Sequence, residues 1–270
     1  MIDEQTMRHS QPGTISMVGI AVTLLSCCCC ARADDQDSEP SATPYRPTVS
    51  NPADLPVPGW LEGEFGGLHT AGEDHSRADS VPWLLKYAFD ENHGLLLGGN
   101  AYMSAQPAGA SKQSSFGDTF LEWKQRFPVS DKAAFGIEAG VVAPTASHDL
   151  GIGKAQWEAN GIFSSDLGAM HIDLNLGEAR GGEQPVNVSP WQTTWAAAVS
   201  TSLTGDWGTA FELSGMHQRG LATQSQALVA FSYNVSHRLV LDAGGACGLT
   251  HAAHDRSLFA GATILIGRLR

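Results

Sequence analysis

The side chains in this chain that could do chemistry are scattered charges and amides set among Gly, Ser and Thr. Lys86, Asp118, Glu122, Lys124, Arg126, Glu138, Glu158, Asn160, His171, Asp173, Asn175, Glu212 and Asp242 fall on the polar faces of alternating segments. Groups of this kind can screen and hydrogen-bond a solute passing between them. They can equally pair with one another across a narrow, filled interior. Both signs occur, so no strong selection by charge is implied. His251-Ala-Ala-His254-Asp255 has a spacing that could hold a metal, but no helical pattern surrounds it to fix the geometry. Ser257 with His254, or Ser214 with His217, could be nominated as hydrolytic pairs, yet neither carries a recognisable nucleophile motif. The chain is therefore read as non-enzymatic, with no metal and no cofactor.

What positions these residues is a repeated strand pattern. Met170, Ile172, Leu174 and Leu176 alternate with His171, Asp173, Asn175 and Gly177. That is the period-two signature of a strand with one apolar and one polar face. A Ser/Asp/Gly turn joins it to Ala155, Trp157, Ala159 and Phe163, which oppose Gln156, Glu158 and Asn160, so 154–177 is a β-hairpin. Similar segments run through 60–70, 81–89, 94–104, 116–127 and 135–143, and then through 191–203, 209–216, 221–234, 239–247 and 257–267. In 94–104, parity places Leu95, Leu97, Ala101 and Met103 outward and Asn100 and Tyr102 inward. Tight turns, such as Asp90-Glu91-Asn92-His93 and Pro128-Val129-Ser130-Asp131, alternate with longer polar loops. About twelve strands of about ten residues, so connected, predict an all-β, up-and-down antiparallel transmembrane β-barrel over residues 58–270.

The rest of the chain bounds this reading. Charged residues are 16% of the sequence and glycines number 30, which fits long strands whose polar residues share one side. The formal net charge of -12 argues against a nucleic-acid partner, because a phosphate backbone calls for Lys and Arg. Residues 1–33 have the layout of a signal peptide: Arg8 and His9, an apolar run from Ile15 to Leu25, and an Ala31-Arg32-Ala33 cleavage site. Cleavage is expected after Ala33, with lipoprotein processing at Leu24-Leu25-Ser26-Cys27 as the rival. Cys247 is then the one thiol left, and no internal disulfide can form. Residues 34–57, rich in Asp, Ser, Pro and Thr without periodicity, read as a flexible periplasmic lead-in.

The apolar faces could meet lipid or a protein core. The polar faces carry isolated carboxylates, amides and hydroxyls rather than a Lys/Glu-rich solvated surface. Trp83, Trp123, Trp157, Trp191 and Trp207 fall near strand ends or turns, where bilayer interfaces gather aromatic residues. Both features favour lipid over a soluble sandwich or a lipocalin-like barrel.

Several short blocks add a resemblance. Pro82-Trp83-Leu84-Leu85-Lys86-Tyr87, Gly117-Asp118-Thr119, Trp123-Lys124-Gln125-Arg126-Phe127-Pro128, Gly151-Ile152-Gly153, Asp166-Leu167-Gly168 and Ser257-Leu258-Phe259-Ala260-Gly261 resemble, in order, the family labelled "MetA-pathway of phenol degradation". The resemblance covers roughly residues 80–266 and implies a transporter-like bacterial outer-membrane barrel. Its implied cargo is small solutes, with aromatic or hydrophobic compounds among them. Members of that family end on an aromatic residue used in assembly. Here Ile266 holds that place and Gly267-Arg268-Leu269-Arg270 extends beyond it. The expected partners are outer-membrane lipid, the barrel-assembly machinery and an unnamed small solute. The competing functions are a barrel-embedded lipid hydrolase and a closed structural or adhesive barrel without transport.

Overall fold

The computed structural model describes residues 39–146, 150–181, 184–253 and 255–269. The expected signal peptide, with its cleavage and lipidation sites, lies outside the described residues.

The strands are β1 (Trp60–Ala71), β2 (Arg77–Ala88), β3 (His93–Gln106), β4 (Gln113–Ser115), β5 (Thr119–Ser130), β6 (Ala133–Ala143) and β7 (Gln156–Leu167). They continue as β8 (Met170–Arg180), β9 (Trp191–Ser202), β10 (Trp207–Gln218), β11 (Gln224–Ser236), β12 (Leu239–Gly248) and β13 (Arg256–Arg268). Each long strand pairs antiparallel with its sequence neighbours, and β1 pairs with β13, so twelve strands close into a barrel. The three-residue β4 is an appendage on the end of β3. Closure pairs the long strands on both sides except at the loop end of β3, whose pairing with β5 stops at Gly99 and which carries β4 instead; a sheet in lipid requires such closure. The long strands have 10 to 14 residues, enough to cross a hydrocarbon layer at a tilt. No helix among the described residues is long and apolar enough to cross a membrane.

Alternation sorts the side chains as the sequence pattern predicts. Leu121, Phe135, Leu174, Phe211, Phe231 and Leu241 are exposed on the outside, while Glu122, Ala134, Asp173, Glu212, Ser232 and Asp242 are buried inside. At the end with short turns, Phe89 stacks on Trp123 at 5.8 Å and Trp207 meets Tyr233 at 4.9 Å. At the end with longer loops, Trp157 and Trp191 stand exposed. These are two aromatic bands with an apolar belt between them. Trp83 is an exception, lying in the middle of β2 rather than near its end.

Three expectations need correction. A register shift at Val81/Pro82 leaves Ala101 unpaired on β3. The bulge reverses parity beyond it, so Tyr102 points outward beside Val81 and Met103 inward beside Ser80. Pro128-Val129-Ser130 is not a turn: β5 continues through it to Ser130, and the chain reverses at Asp131-Lys132. The largest correction concerns the lead-in. Residues 39–57 do not hang free but lie inside the barrel, with Ala42, Tyr45, Arg46, Thr48, Ser50, Asn51 and Ala53 all buried.

Candidate functional site: the plugged lumen

The inserted segment enters at the turn end, where the Ala42 amide donates to the His237 carbonyl. It rises past mid-strand, where Val49 packs against Leu228, Ala230 and Phe259. It then returns toward the turn end, where Val57 packs with Trp60, Val240 and Leu265. Pro40, Pro44, Pro47, Pro52 and Pro56 keep the segment from forming a regular ladder of its own. Its backbone donors are instead received by wall side chains. Thr43 N–H donates to Glu62 at 2.8 Å, Tyr45 N–H to Glu64 at 2.6 Å, and Val49 and Ser50 N–H both to Glu212 at 2.8 and 2.7 Å. Asn51 N–H donates to Asn175 and Ala53 N–H to the Ser164 hydroxyl. Carboxylates outnumber cations on the wall, and the plug's amides supply the missing positive dipoles.

Three side chains of the plug fix it further. The Arg46 guanidinium makes a two-pronged bond to Asp242, at 3.0 Å from both Nε and Nη2, with both side chains 3% exposed. It reaches β12 by lying over Gly66 and Gly261, adjacent in register, where any Cβ would come within 2.7 Å of it. Tyr45 is wholly buried, with its ring between the Lys86 ammonium at 3.7 Å and the Lys124 ammonium at 4.0 Å. Its hydroxyl donates to the Asp54 carbonyl at 2.7 Å. Asp54 in turn accepts from Arg126 at 2.8 Å.

The structure brings the residues singled out from sequence into this lumen and pairs most of them. Lys86 bridges Glu62 and Glu64 at 2.6 and 2.5 Å and donates to the Thr43 carbonyl. Lys124 pairs with Glu138 at 3.0 Å, and Glu138 also accepts from Asn51 and Asn160. Asn160 donates a second bond to Asn175. His171 is held between Asp166 at 2.6 Å and Asp173 at 3.1 Å, and Asp173 accepts from Ser164. Glu122 and Glu158 lie in register on either side of Gly140, whose missing side chain leaves room for Glu122. Asp118 sits apart at the loop end of the barrel, where it accepts from the Ala146 and Ile152 amides and ties down the β6–β7 loop.

Sequence reasoning missed Tyr45, Arg46, Asn51 and Asp54 of the plug, and Glu62 and Glu64 of β1. The signal was there: Tyr45 is the sole aromatic residue, and Arg46 the sole Lys or Arg, in 34–57. It also missed the amide lining above the plug, where Gln192 donates to Gln218 and Gln226 donates to Ser214.

Of the two hydrolytic pairings, Ser214 with His217 does not assemble. Ser214 is buried on the inner face of β10, whereas His217, at opposite parity, bonds Thr223 on the exposed side. Ser257 bonds Thr70, and its nominated partner His254 lies outside the described residues. Among the described residues, no three His, Cys, Asp or Glu side chains gather as a metal set.

Comparison with solved structures finds the same architecture. The COG4313 outer membrane channel from Pseudomonas putida F1 superposes with a TM-score of 0.63 over 87% of this chain and 100% of that one, at 12% identity. The fold is that of an outer-membrane β-barrel. The NanC porin matches with a TM-score of 0.56 over 76% of this chain and 100% of its own, at 8% identity. The KdgM porin in complex with disordered oligogalacturonate matches at 0.53 over 76% and 99%, at 9% identity. No protein-family model matches the chain, and no curated protein does. The "MetA-pathway of phenol degradation" resemblance therefore rests on the sequence blocks alone.

Proposed function

We propose that this chain is a bacterial outer-membrane channel for small solutes whose permeation route opens when residues 39–57 leave the lumen. The observation that carries this reading is the nature of the filling. The turn-side half of the polar interior is occupied by a chain segment that is not a barrel strand and is received by wall side chains. A barrel built only to be solid would fill its lumen from its own strands, as small barrels do. Here the inner wall that residues 39–57 cover carries polar side chains beside apolar ones, among them Leu84, Leu96, Ile162, Leu228 and Leu265. With the plug displaced, the route would be lined by Glu62, Glu64, Lys86, Lys124, Glu138, Asn160, Asp173, Asn175, Glu212 and Asp242. Aromatic or hydrophobic solutes belong to the cargo that the sequence resemblance implies. The wall itself offers hydrogen bonds and charge.

The same geometry gives the closed structural barrel its one supporting observation, the complete burial of Lys86, Lys124 and Glu212 beneath the plug. The two readings separate in planar bilayers. The channel reading expects the intact chain to conduct rarely and a chain lacking residues 39–57 to conduct steadily. A plug-deleted barrel that folds, shown by heat-modifiable migration on gels, yet passes neither ions nor solute would favour the closed barrel. Cleavage after Ala33 and delivery by the barrel-assembly machinery belong to the same proposal.

A further inference from the structure

The plug's own arginine marks a site on the wall. Asp242 on β12, Gly261 on β13 and Gly66 on β1 are adjacent in register and face the lumen. A carboxylate thus stands at one end of a flat floor made by two glycines. Arg46 lies on this floor and binds both carboxylate oxygens, each at 3.0 Å. The fit is to a planar group, since a Cβ on either glycine would come within 2.7 Å of the guanidinium carbon.

The next inward row toward the turns adds acceptors. Glu64 and Thr263 pair in register there. Glu64 receives the Tyr45 and Arg46 amides of the plug, and Lys86 on β2 pairs with both Glu64 and Glu62. Thr263 is 1% exposed, and its hydroxyl is buried without a hydrogen-bond partner among the described residues. A buried hydroxyl left unmet is costly, so the wall offers more at this spot than the plug uses. Toward the loops, Phe259 and Leu68 pair in register and bound the floor with apolar surface. The buried wall as a whole is acidic, its carboxylates outnumbering Lys86 and Lys124.

We infer that this cradle binds a small guanidinium solute in the place of Arg46 once the plug has left. Asp242 holds its two parallel N–H groups, Gly66 and Gly261 receive its flat face, and Thr263 meets a further donor. A planar, forked cation matches a carboxylate in two bonds, whereas an ammonium is a point charge that leaves the flat floor unused. A neutral urea has the shape without the charge. A ligand that binds only the unplugged barrel shifts the balance toward it, so the solute that fills the cradle also favours release of the plug. The inference rests on the proposed departure of residues 39–57, which empties the cradle.

Equilibrium dialysis of labelled agmatine against the intact protein tests it, with N-carbamoylputrescine, a urea in place of the guanidinium, as comparison. In the unaltered chain Arg46 is a tethered competitor, at an effective concentration on the order of millimolar or above. Arg46→Gln removes that competitor and should tighten agmatine binding about tenfold or more. Adding Asp242→Asn to Arg46→Gln should cancel the gain, and adding Thr263→Val should weaken binding about fivefold. The urea probe should bind about tenfold more weakly than agmatine. No gain from Arg46→Gln, equal binding of the two probes, or undiminished binding with Asp242→Asn would overturn the site. Heat-modifiable migration, read on every variant, separates lost binding from lost folding. Planar bilayers then separate the cradle from solute passage: agmatine, and not the urea probe, should raise the opening frequency of the unaltered chain. Agmatine binding without any opening would count against the channel and leave the cradle standing. Openings that ignore agmatine, with no binding gained by Arg46→Gln, would sink the cradle alone.

Discussion

The hold on the plug is concentrated in a few buried charges, and their energetics follow from burial. Arg46 and Asp242 are desolvated together, so removing one leaves the other as an uncompensated buried ion. Arg46→Ala should therefore weaken the folded, plugged state by about 3–5 kcal/mol, and Arg46→Met with Asp242→Leu by much less. Urea titrations followed by protease sensitivity of residues 39–57 would measure both. Equal losses for the single and double variants would show that the pair is not the anchor. Tyr45→Phe, which removes only the hydroxyl bond to Asp54, should cost about 1 kcal/mol. Tyr45→Leu also removes the ring between Lys86 and Lys124 and should cost more. The wall members of this network were legible from parity alone, since Glu138, Asp173 and Glu212 alternate with apolar neighbours. Tyr45 and Arg46 were not, because a segment held by the side chains of distant strands has no periodicity of its own.

At the level of elements, strand identity was written in the alternation and strand ends less so. Period two fixes which face is wet, but a bulge spends a residue without changing composition. Tyr102 and Met103 were thus assigned to the wrong sides. The turns hold the register, and the β2–β3 turn shows how. Asp90 accepts from the Asn92 and His93 amides at 2.7 and 2.9 Å. The Asn92 amide first, and the His93 side chain second, hold its carboxyl below the usual aspartate range. A carboxyl with a lowered folded pKa stabilises above its unfolded value, about 4, and loses that contribution as pH falls through the folded one. Amide-exchange protection at Asn92 and His93, corrected for intrinsic rates, should therefore hold from pH 7 to about 5 and decline below about 4. Asp90→Ala should show the low protection throughout. Protection that ignores both pH and the substitution would remove Asp90 from the turn's account.

For the whole molecule, closure was readable because short turns and long loops alternate and the strands number about twelve. What filled the closed space was not readable, because composition alone makes a Pro/Ser/Asp-rich segment look solvated. The wall itself carried the missing hint: its carboxylates exceed its cations, and an interior cannot keep such a surplus without donors. The surplus and the plug explain each other, and the channel reading proposed above makes the plug's position the variable that decides whether solute passes. That claim can be tested by fastening the plug. A Cβ built on Gly136 of β6 lies 3.3 Å from the Ala53 Cβ, near the span of a disulfide. In a Cys247→Ser background, the mature Ala53→Cys/Gly136→Cys variant should cross-link the plug to the wall. Its single-channel record should be silent when oxidised and should show openings after reduction. Equal conductance before and after reduction, with the cross-link confirmed by mass spectrometry, would contradict the account.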